Sequence, residues 1–497
     1  MLISFSDTII KNRDTCLTFA HDIWFQRSAK PFPMKRDRNP NIRKHEDEVV
    51  GRYENFIKGG GFGYFEVDEL ETIINHYMDG AKTEEAMNAV QYGRKLHPNS
   101  TSLLVKQARL YADTGKTKEA ISIIDYIQTI DSADEDAALL KGEIYLRKGL
   151  VDEAMHIFKE MERNAGNDDA CTFLNIAYAL NDNGRYDDAL YFLDKAYAID
   201  KNSTDTLFEQ AFSYEQKNEY DKAIDIYNRI LDLTPYSNEA WFNIGQLLFY
   251  EERYAESIEA YDYAYTITPT DYQSLMQKAN ALFLCERFQE AIEAYEEYTD
   301  LTGESAGNYI LIGECYEKMS DFANAEKLYQ KALDIDGENT EALSGLCACE
   351  IELERYEEAL QHIEEAIRLN RESSDLWFQK AETLVYLDRQ QEAIKCYNRA
   401  LEINPTQVDV YVALGNLYVD SGEYDIALHY YQQAQMLQRD ISGMPLLLAI
   451  VFYKKGDYDL CVKYLKESRA TNDQTLKAFF EICPEAMEDI KLKNIGL

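Results

Sequence analysis

The sequence predicts an all-α solenoid, a stack of about twelve helical hairpins with a C-terminal capping helix. Three observations predict it. A pattern of apolar and small residues recurs every 34 residues from 67 to 475. Within each recurrence the apolar residues fall at helical spacing on two segments parted by a polar turn. Only 9 prolines and 23 glycines occur in 497 residues, too few for a chain rich in β-turns. One hairpin of this size cannot bury its apolar stripe alone, so neighbours must stack into a continuous core.

The first element departs from the rest. Residues 1–45 carry nine Lys/Arg against four Asp/Glu, whereas the whole chain has 89 acids, 51 bases and a net charge of −38. Residues 1–44 form a basic segment whose stretch 27–44 holds three prolines and no periodicity, and it reads as disordered. No compact apolar region with a small-residue cleavage site marks a secretory signal. Asp7, Asp14 and Asp22 count against an organelle transit peptide. Two readings of this segment stay open: a disordered arm, or a start assigned upstream of Met34. Residues 45–66 follow, with a short helix over Glu46 to Phe56 and a glycine run from Gly59 to Gly63 that ends it. The run lacks the GK[ST] ending of a phosphate-binding loop, and helical repeats follow it where a βαβ unit would be needed.

The repeats themselves are tight by column. The unit starting at Asn238 sets Trp241, Ile244, Gly245 and Leu248 on one helix face, then Ile258, Tyr261 and Ala264 on a second helix, with Pro269 at its end. The twentieth position is small throughout, from Ala86 through Ala223 and Ser257 to Cys461. The eighth is small in eleven of twelve units, and the twenty-fourth is always large and apolar, as in Phe158, Tyr261 and Tyr329. Small residues let two helix backbones approach, and the large one fills the space left. One extra residue separates the third and fourth units. Units 3, 9 and 12 depart most: Glu350 replaces an aromatic and Pro445 stands where Trp or Tyr belongs, so irregular first helices are expected there.

These residues resemble the tetratricopeptide repeat family, whose signature is W-x2-L-G-x2-Y, then A-x3-F, then P on a 34-residue period. Trp241/Ile244/Gly245, Tyr309/Ile312/Gly313/Tyr316, Tyr411/Leu414/Gly415/Tyr418, the alanine column and Pro98, Pro235, Pro269 and Pro405 carry the likeness. In its ordering the chain is similar to bacterial tetratricopeptide-repeat proteins of no assigned reaction. The resemblance implies a right-handed superhelix and a cytoplasmic interaction protein. Beyond the repeats, residues 476–497 place Leu476, Phe479, Phe480 and Ile482 on one helix face, suited to seal the last unit.

Catalysis has little room. The segments outside the repeats are too small for an ordinary catalytic domain. Cys347 and Cys349 lie two apart on a helix, about 200° around it, so they cannot share a metal. The seven histidines form no HxxxH or HExxH. Nine scattered cysteines with no CxxC suit a reduced, cytoplasmic setting. The chain is therefore expected to be no enzyme and to hold no metal or cofactor. The acid excess argues against nucleic acid and against an anionic membrane, and no run of 18 apolar residues occurs.

What remains is a surface. In the family, positions 5, 9 and 12 of each unit point into the concave face, a stripe distinct from the core. In units 5 to 7 these are Phe208, Phe212 and Glu215; Phe242, Gln246 and Phe249; Met276, Asn280 and Phe283. The expected peptide groove is Phe208, Phe212, Phe242, Gln246, Phe249, Met276, Asn280 and Phe283, apolar anchors with two amides able to bond a peptide backbone. The alternative is that these aromatics only help neighbouring first helices pack. The Lys/Asn and Asn set with which some members hold a chaperone's carboxyl tail is absent, because units 1 and 2 offer Glu71/Asn75 and Val105/Arg109. The expected function is a non-catalytic scaffold or adaptor for neutral or basic polypeptides. A chaperone-like assembly factor and a regulatory subunit of an enzyme encoded elsewhere are the alternatives. The oligomeric state is open.

Overall fold

The computed structural model describes residues 40–59, 63–165, 169–471 and 475–488. Among them are 26 α-helices and one 3-10 turn, Pro484–Glu488, and no strand. The basic segment before Pro40, with Met34, lies outside the described residues, as do Gly60, Gly61 and residues 489–497. The first described helix is Pro40–Ile57. It begins six residues ahead of Glu46 and so takes in residues 40–44, which composition assigns to the basic segment. Proline suits a first helical position, where its missing N–H is not needed.

The chain divides between Ser274 and Leu275 into two units. The N-terminal unit holds helix Pro40–Ile57 and hairpins 1 to 6, which span 67–96, 101–130, 135–165, 170–199, 204–233 and 238–267. Val49, Val50 and Tyr53 of the first helix are buried against hairpin 1. The C-terminal unit holds hairpins 7 to 12, which span 272–302, 306–335, 340–369, 374–403, 408–437 and 444–471, the boundary cutting the first turn of helix Tyr272–Leu284. Helix Thr475–Ile482 then lays Phe479 into the core of hairpin 12, with Cys483 and Ala486 beside it. Each unit is a helical solenoid, in which a hairpin packs chiefly on its sequence neighbours.

Local chemistry explains the hairpin. First helices start at side-chain caps: Ser100, Asp134, Asp169, Ser203, Ser237, Ser305 and Asn339 each accept a backbone N–H three residues on. They stop in a left-handed residue at position 15, present in all twelve hairpins. Gly115, Gly149, Gly184, Gly422 and Gly456 serve five of them. Ala81, Asn218, Glu252, Glu286, Ser320, Glu354 and Asp388 adopt the same positive φ in the others. The bonds are those of a Schellman motif: in hairpin 6, Arg253 N–H donates to Leu248 O and Glu252 N–H to Phe249 O.

Packing follows the columns. Every residue at position 20, from Ala86 to Cys461, is wholly buried. Ser257 fits that column because its hydroxyl donates to Gly245 O at 2.7 Å. A Cβ on Gly245 would stand 2.8 Å from the Tyr261 ring, and one on Gly415 would stand 2.2 Å from Tyr431, so the large position-24 residue does fill the small position-8 gap. Of the three units expected to be irregular, only hairpin 12 is: its first helix, Met444–Lys454, has 11 residues where the others have 12 or 13. Hairpin 9 stays regular because His362 Nδ1 meets the buried Glu350 carboxylate at 2.8 Å, which satisfies the acid standing in an aromatic position.

Candidate peptide-binding face

First helices pack on their own second helices and also on the next first helices, for hairpins 1 to 5 in the N-terminal unit and 8 to 10 in the C-terminal unit. In hairpins 5 to 7 the side chains at positions 5, 9 and 12 are half-buried, and this includes all eight residues of the expected groove. Neither a core position nor a freely solvated one describes them.

In the N-terminal unit every aromatic of the set leans on another ring. Phe208 meets Tyr227 edge-on at 5.9 Å, and Phe212 meets Tyr186 of hairpin 4 at 6.3 Å. Phe242 tilts on Tyr261 at 5.6 Å, and Phe249 meets Tyr254 at 5.3 Å. Such pairs add about 0.5–1.5 kcal/mol beyond burial, so these rings hold the hairpins as well as face outward. Gln246 Nε2 lies 3.4 Å from the Tyr250 hydroxyl, a long contact that leaves most of the amide's capacity unused. Phe208 also lines a cavity of about 500 Å³ with Thr204, Thr234, Pro235, Tyr236 and Ser237. Tyr236 stands 84% exposed at its rim.

In the C-terminal unit Met276, Asn280 and Phe283 lie on helix Tyr272–Leu284. Phe283 meets Phe288 edge-on at 5.5 Å. Asn280 is partly spent: the buried Tyr295 hydroxyl donates to its Oδ1 at 2.7 Å. That bond takes up one acceptor site of the amide oxygen.

That last contact belongs to a polar layer that sequence reasoning missed. Four position-24 tyrosines thread between helices and give their hydroxyls to residues at positions 9 and 12 of the first helices, the row that with position 5 forms the inner row. Tyr431 donates to Asn416 Oδ1 at 2.7 Å, Tyr329 to Glu317 Oε2 at 2.9 Å, and Tyr227 to Glu215 Oε1 at 2.5 Å. Asn243 Nδ2 in turn donates to the Tyr227 hydroxyl at 3.1 Å. A signal existed: where position 24 is Tyr, position 9 is often Asn or position 12 Glu. Burial pushes the Glu215 carboxyl up to about 7, against the pull of the Tyr227 hydrogen bond. Burial pushes Glu314, at position 9 of hairpin 8, up to about 8, and Glu317 and Glu341 add repulsion.

Other candidates resolve differently. Arg109 is bound in a two-point ion pair with Glu143, at 2.9 and 3.1 Å, which joins position 9 of hairpins 2 and 3. It is therefore not offered to a ligand carboxylate. Cys347 and Cys349 are wholly buried, and burial raises the Cys315, Cys349 and Cys483 thiols, the last to about 11. Thiols so raised are poor nucleophiles. Among the described residues no group of three His, Cys, Asp or Glu is placed to hold a metal. No described helix is long and apolar enough to cross a membrane.

Comparison with known proteins gives the following. One family model described as tetratricopeptide repeat matches residues 246–440, and a second with that description matches residues 105–169, 208–272 and 412–474. No curated protein matches the chain. Similar solved structures include YrrB, described as a TPR protein with an unusual peptide-binding site, with 17% identity, 38% of this chain and 96% of that one covered, and a TM-score of 0.31. The APC/C hetero-tetramer Cut9-Hcn1 shares 13% identity over 82% of this chain and 94% of that one, with a TM-score of 0.39. MamA shares 24% over 35% of this chain and 94% of that one, with a TM-score of 0.30.

Proposed function

The chain belongs to the tetratricopeptide repeat family, and on that premise we propose that it is a non-catalytic scaffold binding polypeptide segments along its first helices. One observation carries the reading. The residues at positions 5, 9 and 12 of hairpins 5 to 7 are half-exposed, while positions 8 and 20 of the same hairpins are buried. Partly exposed aromatics at helical spacing suit the apolar side chains of an extended or helical segment. In the N-terminal unit the binding residues are Phe208, Phe212, Phe242, Gln246 and Phe249, and the cavity beside Phe208 takes one side chain. In the C-terminal unit they are Met276, Asn280 and Phe283, Asn280 donating to a peptide carbonyl. Neutral or basic segments fit best against a chain of net charge −38.

The test is selection of random twelve-residue peptides on the full chain, repeated with Phe212→Ser/Phe242→Ser. Peptides are expected to be enriched by the wild type, and those competing at the N-terminal face are expected to be lost with the double variant. Circular dichroism should show the helices kept, with a melt lowered by the two lost ring contacts. Selection of no peptide by either protein would remove the scaffold reading.

A further inference from the structure

The inner row of the C-terminal unit differs in charge from that of the N-terminal unit. At positions 5, 9 and 12 of hairpins 7 to 12 the charged residues are Glu314, Glu317 and Glu382, with no Lys, Arg or His. Their neighbours in that row, Ile351, Phe378 and Val385, are half-buried and apolar. In the N-terminal unit the corresponding row holds Glu71, Glu143 and Glu215 together with one cation, Arg109, which is paired with Glu143.

The acids of the C-terminal row are not equivalent. Glu317 accepts the Tyr329 hydroxyl. Glu314 has no hydrogen bond or ion pair among the described residues. The groups that act on it are Glu317, Lys318 and Cys315 on its own helix, Tyr295 and Tyr329 from the flanking second helices, and Glu341 from the first helix of hairpin 9. Lys318 is the one cation among them, and its attraction is the smallest of the effects on Glu314. A carboxylate half removed from water without donor or counter-ion is costly, so it holds a proton well into the neutral range. A cation brought to it would find a low-dielectric partner, worth more than a solvated surface pair.

We propose that the C-terminal unit binds a basic polypeptide segment by seating one lysine or arginine side chain at Glu314, with apolar residues of that segment on Ile351, Phe378 and Val385. This rests on the scaffold reading above and adds the partner's chemistry and the residue that selects it. A neutral side chain at Glu314 leaves the carboxyl as it was, and an acidic one adds repulsion to that of Glu317 and Glu341. The row thus selects charge at position 9 and shape at positions 5 and 12.

Binding must also move a proton. Near pH 7 free Glu314 is mostly protonated, since burial holds it near 8. Pairing with a cation returns it to the carboxylate, so close to one proton leaves per segment bound.

The experiment uses the full chain. Random twelve-residue peptides are selected on the wild type, and the most enriched peptide is synthesised and titrated against wild type, Glu314→Gln and Glu153→Gln. The expected result is an excess of Lys and Arg in the enriched pool. Affinity should fall about tenfold or more with Glu314→Gln and stay unchanged with Glu153→Gln, which removes an exposed acid from the second helix of hairpin 3. Calorimetry in two buffers of different ionisation enthalpy should read near-stoichiometric proton release for the wild type and none for Glu314→Gln. Glu314→Gln keeps the side chain's shape and removes an unpaired acid, so its melt should be no lower than the wild type's. A pool without basic excess, or undiminished affinity in Glu314→Gln, overturns the proposal and leaves the scaffold reading standing. An empty pool overturns both.

Discussion

Tyr329 shows how one side chain serves packing and surface together. Its ring fills the space over Gly313 and Gly345, where an added Cβ would stand 3.0 and 2.5 Å away. Its hydroxyl, carried past those glycines, reaches Glu317 on the inner row. His362 plays the equivalent part for Glu350, which is only 3% exposed. The hydrogen bond to Glu350 raises the His362 pKa above its ordinary value, burial opposing it. A histidine with a raised folded pKa adds stability that is fully present below its unfolded pKa, about 6.5. That contribution is lost as pH rises through the folded value, because Glu350 is then left buried without its cation. Thermal melts of the wild type should therefore fall from about pH 6 to pH 8 more steeply than those of His362→Gln, given the ordinary histidine range. Parallel pH profiles for the two proteins would remove the pair from the stability account.

The hairpin is the working element, and its turn is where sequence and conformation disagree most openly. All twelve hairpins use a left-handed residue at position 15, yet seven place a residue with a Cβ there. The Schellman bonds compensate, as with Arg287 N–H to Leu282 O and Glu286 N–H to Phe283 O in hairpin 7. At Gly184 an added Cβ meets nothing nearer than 4.0 Å, so only backbone strain opposes it. Gly184→Ala should lower stability by about 1 kcal/mol, and Glu286→Gly should raise it by up to about the same, read as shifts in the denaturant midpoint. The first helix of hairpin 6 should respond differently. Gly245→Ala drives a Cβ into Tyr261, so steric cost dominates there and propensity, which favours Ala, loses.

At the scale of the whole molecule, stability is spread along each stack through neighbouring interfaces. Ala223 is wholly buried in hairpin 5. Ala223→Phe should overpack that crossing and cost about 1–3 kcal/mol. Hydrogen exchange should then show protection reduced in hairpins 4 to 6 and retained in hairpins 9 to 12. Uniform loss across all hairpins would mean the chain unfolds as one cooperative body and not as a repeat array. The division at Ser274 gives each unit six hairpins, and positions 5, 9 and 12 hold four phenylalanines and one acid in hairpins 5 and 6 against one phenylalanine and three acids in hairpins 8 and 10.

The period of 34 residues, the two helices per unit and the small and large columns were all legible from residue types, because helix periodicity and steric fit are local properties that repetition amplifies twelvefold. The eight residues expected to line a peptide groove share one helical stripe in the sequence, and the structure leaves each of them half-exposed. Their ring partners could not be read, because Tyr186 against Phe212 is a contact between hairpins. Nor could the sequence tell which acids are spent. Glu314 and Glu317 look alike three residues apart on one helix, and only tertiary packing gives Glu317 the Tyr329 hydroxyl while leaving Glu314 without a donor. Composition fixes how much charge a chain carries, whereas the surrounding fold fixes how much water each charge keeps.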